Sequence, residues 1–167
     1  AGCNLHCLNC QNWEISQEGP GKVEAFEAPP GKLLDLASRQ GCRSVCFTYT
    51  EPVVFYEYAL DTARLARESG SAKCSIVTAA YVNPAPFKEL CSSLDAVKID
   101  FKACSDKFYR EVCGGSLKPV QRAMETARST GVHLEIVNLL IPTLNDSDSD
   151  LKALAKWMKG SLGSDVP

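Results

Sequence analysis

Runs that read as strands alternate with runs that read as helices along most of this 167-residue chain, and this alternation constrains the fold more than any other feature. SVCFTY (44–49), KCSIVT (73–78), DAVKIDFK (95–102) and HLEIVNLLIP (133–142) are short and β-rich. PPGKLLDLASRQG, VVFYEYALDTARLARESG (53–70), PAPFKELCSSL (84–94), LKPVQRAMETARSTG (117–131) and DSDLKALAKWMKG (148–160) read as helices. In the second of these, Phe55, Tyr58, Ala59, Thr62, Leu65 and Ala66 fall at helical spacing, and a glycine closes the run. A short helical stretch is expected around Asp106–Val112, and Gln17–Pro30 reads as a loop. Strands spaced roughly 30 residues apart with helices between them make repeated βα units on a parallel sheet. Short, handed connections leave two architectures, a doubly wound open sheet or a barrel-like closure.

Hydrophobic content of 45% and charged content of 23% are those of a globular protein, and the length suits one domain. A net charge of −2 gives no electrostatic reason to expect nucleic acid or an anionic membrane as partner. No apolar run approaches the roughly 20 residues that span a bilayer. The nine cysteines are odd in number and lie mostly in apolar segments, which favours a reducing cytoplasm over a disulfide framework. The first loop starts abruptly and SDVP stops where another strand could begin. Residues 1–167 are therefore expected to be a single incomplete domain, truncated at both ends.

The third strand-like run is the most informative. In DAVKIDFK, Val97, Ile99 and Phe101 alternate with Lys98, Asp100 and Lys102. A parallel sheet covered on both faces should be apolar on both. A charged face must line something wetter, unless the run is an edge strand. Other polar residues also fall at carboxyl ends of predicted strands: Thr48, Thr50 and Glu51 after SVCF, Thr78 ending KCSIVT, and Asn138 late in HLEIVNLLIP. Parallel α/β folds bind ligands at that end.

Cys3, Cys7 and Cys10 stand within eight residues in AGCNLHCLNCQNWEIS, with no fourth cysteine nearby. A structural zinc would need a fourth ligand. His6 would have to fold back between two of the cysteines, and Cys42 with Cys46 is poorly placed for chelation. The remaining reading is a 4Fe–4S cluster with three protein thiolates and one open iron. The other six cysteines, Cys42, Cys46, Cys74, Cys91, Cys104 and Cys113, lack cluster spacing and read as small core residues, with Cys104 and Cys113 near the rim.

With these stretches the sequence resembles the radical S-adenosylmethionine (SAM) enzymes, whose hallmark is CxxxCxxC. More narrowly it is similar to the pyruvate formate-lyase activating enzyme branch and to the AmmeMemoRadiSam group. GCNLHCLNCQNWEIS, FTYTEPVVFYEYALDTARLA, LDAVKIDFKACSDKFYREVCGG and NLLIPTLNDS carry the resemblance. It implies a partial (β/α)6 TIM-like barrel in which Cys3, Cys7 and Cys10 hold the cluster. SAM's amino and carboxylate groups would chelate the open iron, and one electron would cleave SAM to methionine and a 5′-deoxyadenosyl radical that abstracts hydrogen. TYTEP stands at the GGEP-type motif, so Thr50 and Glu51 should meet the amino group. Asp100 and Lys102 match a polar pair at the methionine part of SAM, and Thr78 a ribose- or carboxylate-binding position. Asn138 and the backbone around Ile141 match the segment beside ribose and adenine. Departures are Asn9 in place of an aromatic residue, and TAAY (78–81) and Thr143 where relatives carry glycine. The resemblance further implies a reductant such as flavodoxin or ferredoxin. It leaves three classes of role: activating a glycyl-radical enzyme, acting on another protein or a small molecule, or a non-catalytic iron–sulfur or zinc module.

Overall fold

The computed structural model describes residues 1–167 with the exception of Pro20. Strands β1 (Ser44–Phe47), β2 (Lys73–Thr78), β3 (Ala96–Asp100) and β4 (His133–Val137) form one parallel sheet in that spatial order. Phe47, Ile76, Val97 and Leu134 stand in one row across it, each buried. Strand order follows chain order with no reversal, so the sheet is singly wound, and the barrel-like alternative of the two is the one adopted. Successive crossovers of one hand put the helices on one face. The helices α2 (Pro30–Arg39), α3 (Tyr56–Ser69), α4 (Pro84–Ser93) and α6 (Leu117–Thr130) pack there side by side in chain order. The chain is an α/β protein with a partial TIM-like barrel, of which these residues supply four βα units.

Local chemistry explains the elements. In α3, Ala59, Leu60, Ala63 and Ala66 make the buried stripe, and Gly70 takes a left-handed φ of 63° to end the helix. In α6 the stripe is Val120, Ala123, Met124 and Ala127. The short α1 (Trp13–Ser16) follows the cysteine loop and is not evident from the sequence. A brief α5 (Asp106–Phe108) runs into a π-helical turn (Tyr109–Cys113), where the helical stretch was expected. Helix α7 (Asp148–Ser161) lays Trp157 against Phe101, ring centroids 5.2 Å apart, and the Pro167 carbonyl accepts from the Ile136 amide at 2.9 Å.

The sheet's opposite face carries the polar set. Lys98 is exposed beside Glu135 on β4, while Val97, Ile99 and Phe101 are buried, as the alternation indicated. Cys42 and Cys46, expected in the core, are exposed: Cys46 sits on the helix-free face and Cys42 in the turn before β1. Cys74, Cys91 and Cys113 are buried.

Strands end earlier than their apolar runs. HLEIVNLLIP leaves the sheet at Val137, because side-chain amides of Asn138 and Asn145 then take the carbonyls of Phe101 and Lys102. SVCFTY stops at Phe47, two residues before Tyr49 takes a φ of 74°. Ala80 and Thr143 also have positive φ, 54° and 71°. All three stand in loops beyond strand carboxyl ends. Thr143 is exposed and β-branched, so its left-handed backbone costs about 1–2 kcal/mol. Glycine would relieve that strain but restore roughly 0.4–1 kcal/mol of unfolded-chain freedom. We expect Thr143→Gly to raise the urea midpoint, by up to about 1 kcal/mol of stability at unchanged m-value. A lowered midpoint would contradict the strain.

Candidate active site

The cysteine loop lacks regular structure until α1, so its backbone needs partners elsewhere. It finds them on the π-helical turn: the His6 amide donates to the Cys113 carbonyl at 2.9 Å, and the Leu8 amide to Val112 at 2.8 Å. The Glu51 amide donates to the Gly2 carbonyl at 3.2 Å. Leu5 is buried beneath the loop, and the Gln17 amide group holds its carbonyl at 2.9 Å. This close approach explains GG at 114–115. A Cβ on Gly114, whose φ is 69°, would lie 3.2 Å from His6 Cβ, and one on Gly115 would lie 2.6 Å from Leu5 Cδ2.

Docked in this way, the loop roofs a cavity of about 360 Å³ at the carboxyl ends of the strands. Cys3, Cys7 and Cys10 line it together with Thr48, Thr50, Glu51, Asp100 and Lys102. Asp100 and Lys102 face each other across 3.7 Å, both partly exposed. Tyr49 and Leu139 supply apolar surface at the rim, and Asn9, Gln11 and Asn12 polar surface.

Glu51 is only 1% exposed. Its Oε1 accepts from Thr78 Oγ1 at 2.5 Å and from the Val53 amide at 3.2 Å, and Oε2 from the Ala79 amide at 2.8 Å. It therefore caps the 3₁₀ turn (Pro52–Phe55) that leads into α3, while its carboxylate also lines the cavity. Burial pushes this carboxyl above its ordinary range, against three hydrogen bonds that favour the charged form.

Three residues expected at a cofactor do not line this cavity. Thr78 is on the helix-facing side of β2, with its hydroxyl donating to Glu51 and accepting from the Ala80 amide at 2.8 Å. It orients Glu51 and does not line the cavity. Asn138 donates to the Phe101 and Lys102 carbonyls at 2.6 and 3.0 Å, and its buried Oδ1 has no partner among the described residues. The Ile141 amide is taken by Asn145 Oδ1 at 2.6 Å. From this segment Leu139 lines the cavity, and Asn138 and Ile141 do not.

Asn145 escaped the sequence reading. It is 3% exposed, holds the Lys102 carbonyl at 2.7 Å and the Leu139 carbonyl at 2.9 Å, and so ties the loop after β4 to the end of β3. A lone asparagine in TLNDS carries no periodic signal, so only the fold exposes it.

The donor set fits a polynuclear cluster better than a lone metal ion. Three thiols share one cavity wall, yet among the described residues no three His, Cys, Asp or Glu side chains converge on a point that a single ion could occupy. A four-iron cube distributes its thiolates over separate irons. The Cys7 thiol is lowered to about 7, chiefly by the neighbouring Cys113 thiol and then by the Lys102 charge, against its burial. Burial chiefly pushes the Cys3 thiol up.

Comparison with known proteins agrees with this geometry. A family model described as the radical SAM superfamily matches residues 1–158. An uncharacterized protein of Methanocaldococcus jannaschii is 38% identical over 166 residues, covering 99% of this chain and 49% of its own. The pyruvate formate-lyase-activating enzyme of Clostridium pasteurianum is 28% identical over 161 residues, covering 95% of this chain and 66% of its own. This chain thus spans about half to two thirds of those relatives' lengths. Streptococcus suis SuiB, solved bound to S-adenosylmethionine, shares the fold with a TM-score of 0.67 at 16% identity, over 96% of this chain and 34% of that one. The chain belongs to the radical SAM superfamily, a family that uses a 4Fe–4S cluster and SAM.

Proposed function

We propose that residues 1–167 form the core domain of an enzyme that cleaves SAM reductively for hydrogen-atom abstraction. The observation that carries this reading is the shared cavity, where three thiols meet a buried carboxylate and an Asp–Lys pair. Cys3, Cys7 and Cys10 would hold the cluster through thiolates. The cluster and SAM, when bound, supply one-electron cleavage of the sulfonium and a 5′-deoxyadenosyl group that accepts the abstracted hydrogen.

The chain's own residues then bind and orient. An ammonium needs carboxylates, and Glu51 and Asp100 offer two. Oε2 of Glu51 has one protein donor, the Ala79 amide, which leaves it acceptor capacity. A carboxylate needs a cation, and Lys102 lies on the same wall, its charge only partly satisfied by Asp100 at 3.7 Å. Thr50 adds a hydroxyl beside Glu51. Thr78, Asn138 and Asn145 act one step back: Thr78 fixes Glu51, and the two asparagines fix the Lys102 backbone.

For the target, we favour a backbone glycine of a glycyl-radical enzyme, with flavodoxin or ferredoxin as electron donor. Similarity to the Clostridium activating enzyme supports this.

Anaerobic reconstitution with iron and sulfide, reduction and addition of SAM should release 5′-deoxyadenosine, and a co-incubated glycyl-radical enzyme should acquire a glycyl radical signal. No 5′-deoxyadenosine from a loaded cluster would refute the chemistry, and 5′-deoxyadenosine without a glycyl radical would refute the target. In Cys7→Ala we expect loss of the cluster, read as iron and sulfide content. In Lys102→Ala we expect normal cluster content but SAM binding weakened about 10- to 100-fold, the loss of one charge-assisted contact. Wild-type SAM affinity in that variant would remove Lys102 from the site.

A further inference from the structure

Ser16, the last residue of α1, is only 2% exposed yet borders the cavity. A hydroxyl buried to this degree needs partners within the protein. Its Oγ lies 3.4 Å from the Cys10 sulfur and 3.4 Å from the side-chain nitrogen of Gln17. The helix end that carries it is pinned. The Ser16 amide donates to the Asn12 carbonyl at 2.9 Å, and the Ile15 carbonyl accepts from the Gly2 amide at 3.0 Å.

These neighbours decide which way the bond to sulfur runs. The Leu5 carbonyl can only accept, so the Gln17 side-chain atom 2.9 Å from it is the nitrogen. That nitrogen has a second hydrogen, which it gives to Ser16 Oγ. The hydroxyl thus accepts from Gln17 and keeps its own hydrogen for the Cys10 sulfur. As a cluster ligand Cys10 is a thiolate and has no hydrogen to donate in return. Gln17, Ser16 and Cys10 form a relay in which each donor points at the next acceptor. The Leu5 amide likewise donates to the Cys3 sulfur at 3.4 Å, but a backbone donor stays whatever the side chain is. Ser16 is a donor that a change of side chain removes.

We propose that Ser16 is a positioning residue whose hydroxyl, aimed by Gln17, donates to the Cys10 sulfur and so tunes the reduction potential of the cluster. A donor to a ligand sulfur draws off negative charge, which favours the reduced cluster and raises its potential. Shelter from water strengthens such a bond.

This inference rests on the proposed cluster. Wild type, Ser16→Ala and Ser16→Thr are reconstituted anaerobically and each is first checked for 4Fe–4S content. Redox titration and resonance Raman spectroscopy then compare them. In Ser16→Ala we expect a more negative midpoint potential and an Fe–S(Cys) stretching band at higher frequency. The shift of that band on exchange into D2O should shrink without vanishing, because the Leu5 amide still meets Cys3. Ser16→Thr keeps a hydroxyl and should return both potential and band towards wild type. An alanine variant with a full cluster and wild-type potential and band would overturn the proposal. Loss of the cluster from that variant would overturn it too, by assigning Ser16 to assembly of the site. So would a threonine variant that behaves as alanine does, since packing and not the hydroxyl would then set the potential. A wild-type protein that forms no 4Fe–4S cluster would instead overturn the function on which the proposal stands.

Discussion

Everything at this site depends on how an irregular loop of twelve residues is held down. The amides of His6 and Leu8 reach the last carbonyls of a π-helical turn, and the Glu51 amide reaches Gly2. Unpaired amides there would each cost about 1–3 kcal/mol, so these bonds fix the loop's path. The path in turn requires glycine at 114 and 115, where any Cβ would press on His6 or Leu5. A π turn is an uncommon structure found mostly where function demands it. Here the carbonyls of Val112 and Cys113, at its end, hold the loop that carries the thiols.

The sheet supplies the other half of the geometry. Because every crossover returns the same way, one face is covered by helices and the other stays polar. The strand ends then turn Asp100, Lys102, Thr50 and Glu51 into the same space. Buried charge in such a place needs support. Glu51 has it from Thr78, Ala79 and Val53, and Lys102 keeps its charge near water with only a loose partner in Asp100. Of the left-handed backbones, that of Tyr49 lines the cavity itself, in keeping with strain gathering at functional rims.

The sequence made some of this legible and hid the rest, for identifiable reasons. Cysteine spacing and the alternation in DAVKIDFK point straight to the thiol loop and to the charged face, because both depend on local periodicity. Helix ends at Gly70 and Gly131 follow from backbone freedom and were equally visible. Strand ends were not. Apolar residues continue through NLLIP, and the sheet stops only because Asn138 and Asn145 intercept carbonyls on β3. Thr78 lies on the buried face of β2 with Cys74 and Ile76, where its hydroxyl meets Glu51, and strand alternation alone does not say which face of a run the helices cover. The exposed Cys42 and Cys46 mislead because cysteine is usually buried. Cys113 was read as lying near the rim, and the structure buries it outside the cavity lining. TAAY and Thr143 stand where glycine was expected, and the backbone takes positive φ at Ala80 and Thr143.

The central claim is that three thiolates hold a four-iron cluster whose remaining iron is free to take SAM. Mössbauer spectroscopy of protein reconstituted with enriched iron, recorded with and without SAM, reads this directly. Addition of SAM should change the isomer shift of one iron site and leave the other three as they were. A spectrum in which no iron responds to SAM, or a preparation whose metal is a single tetrahedral zinc, would contradict it.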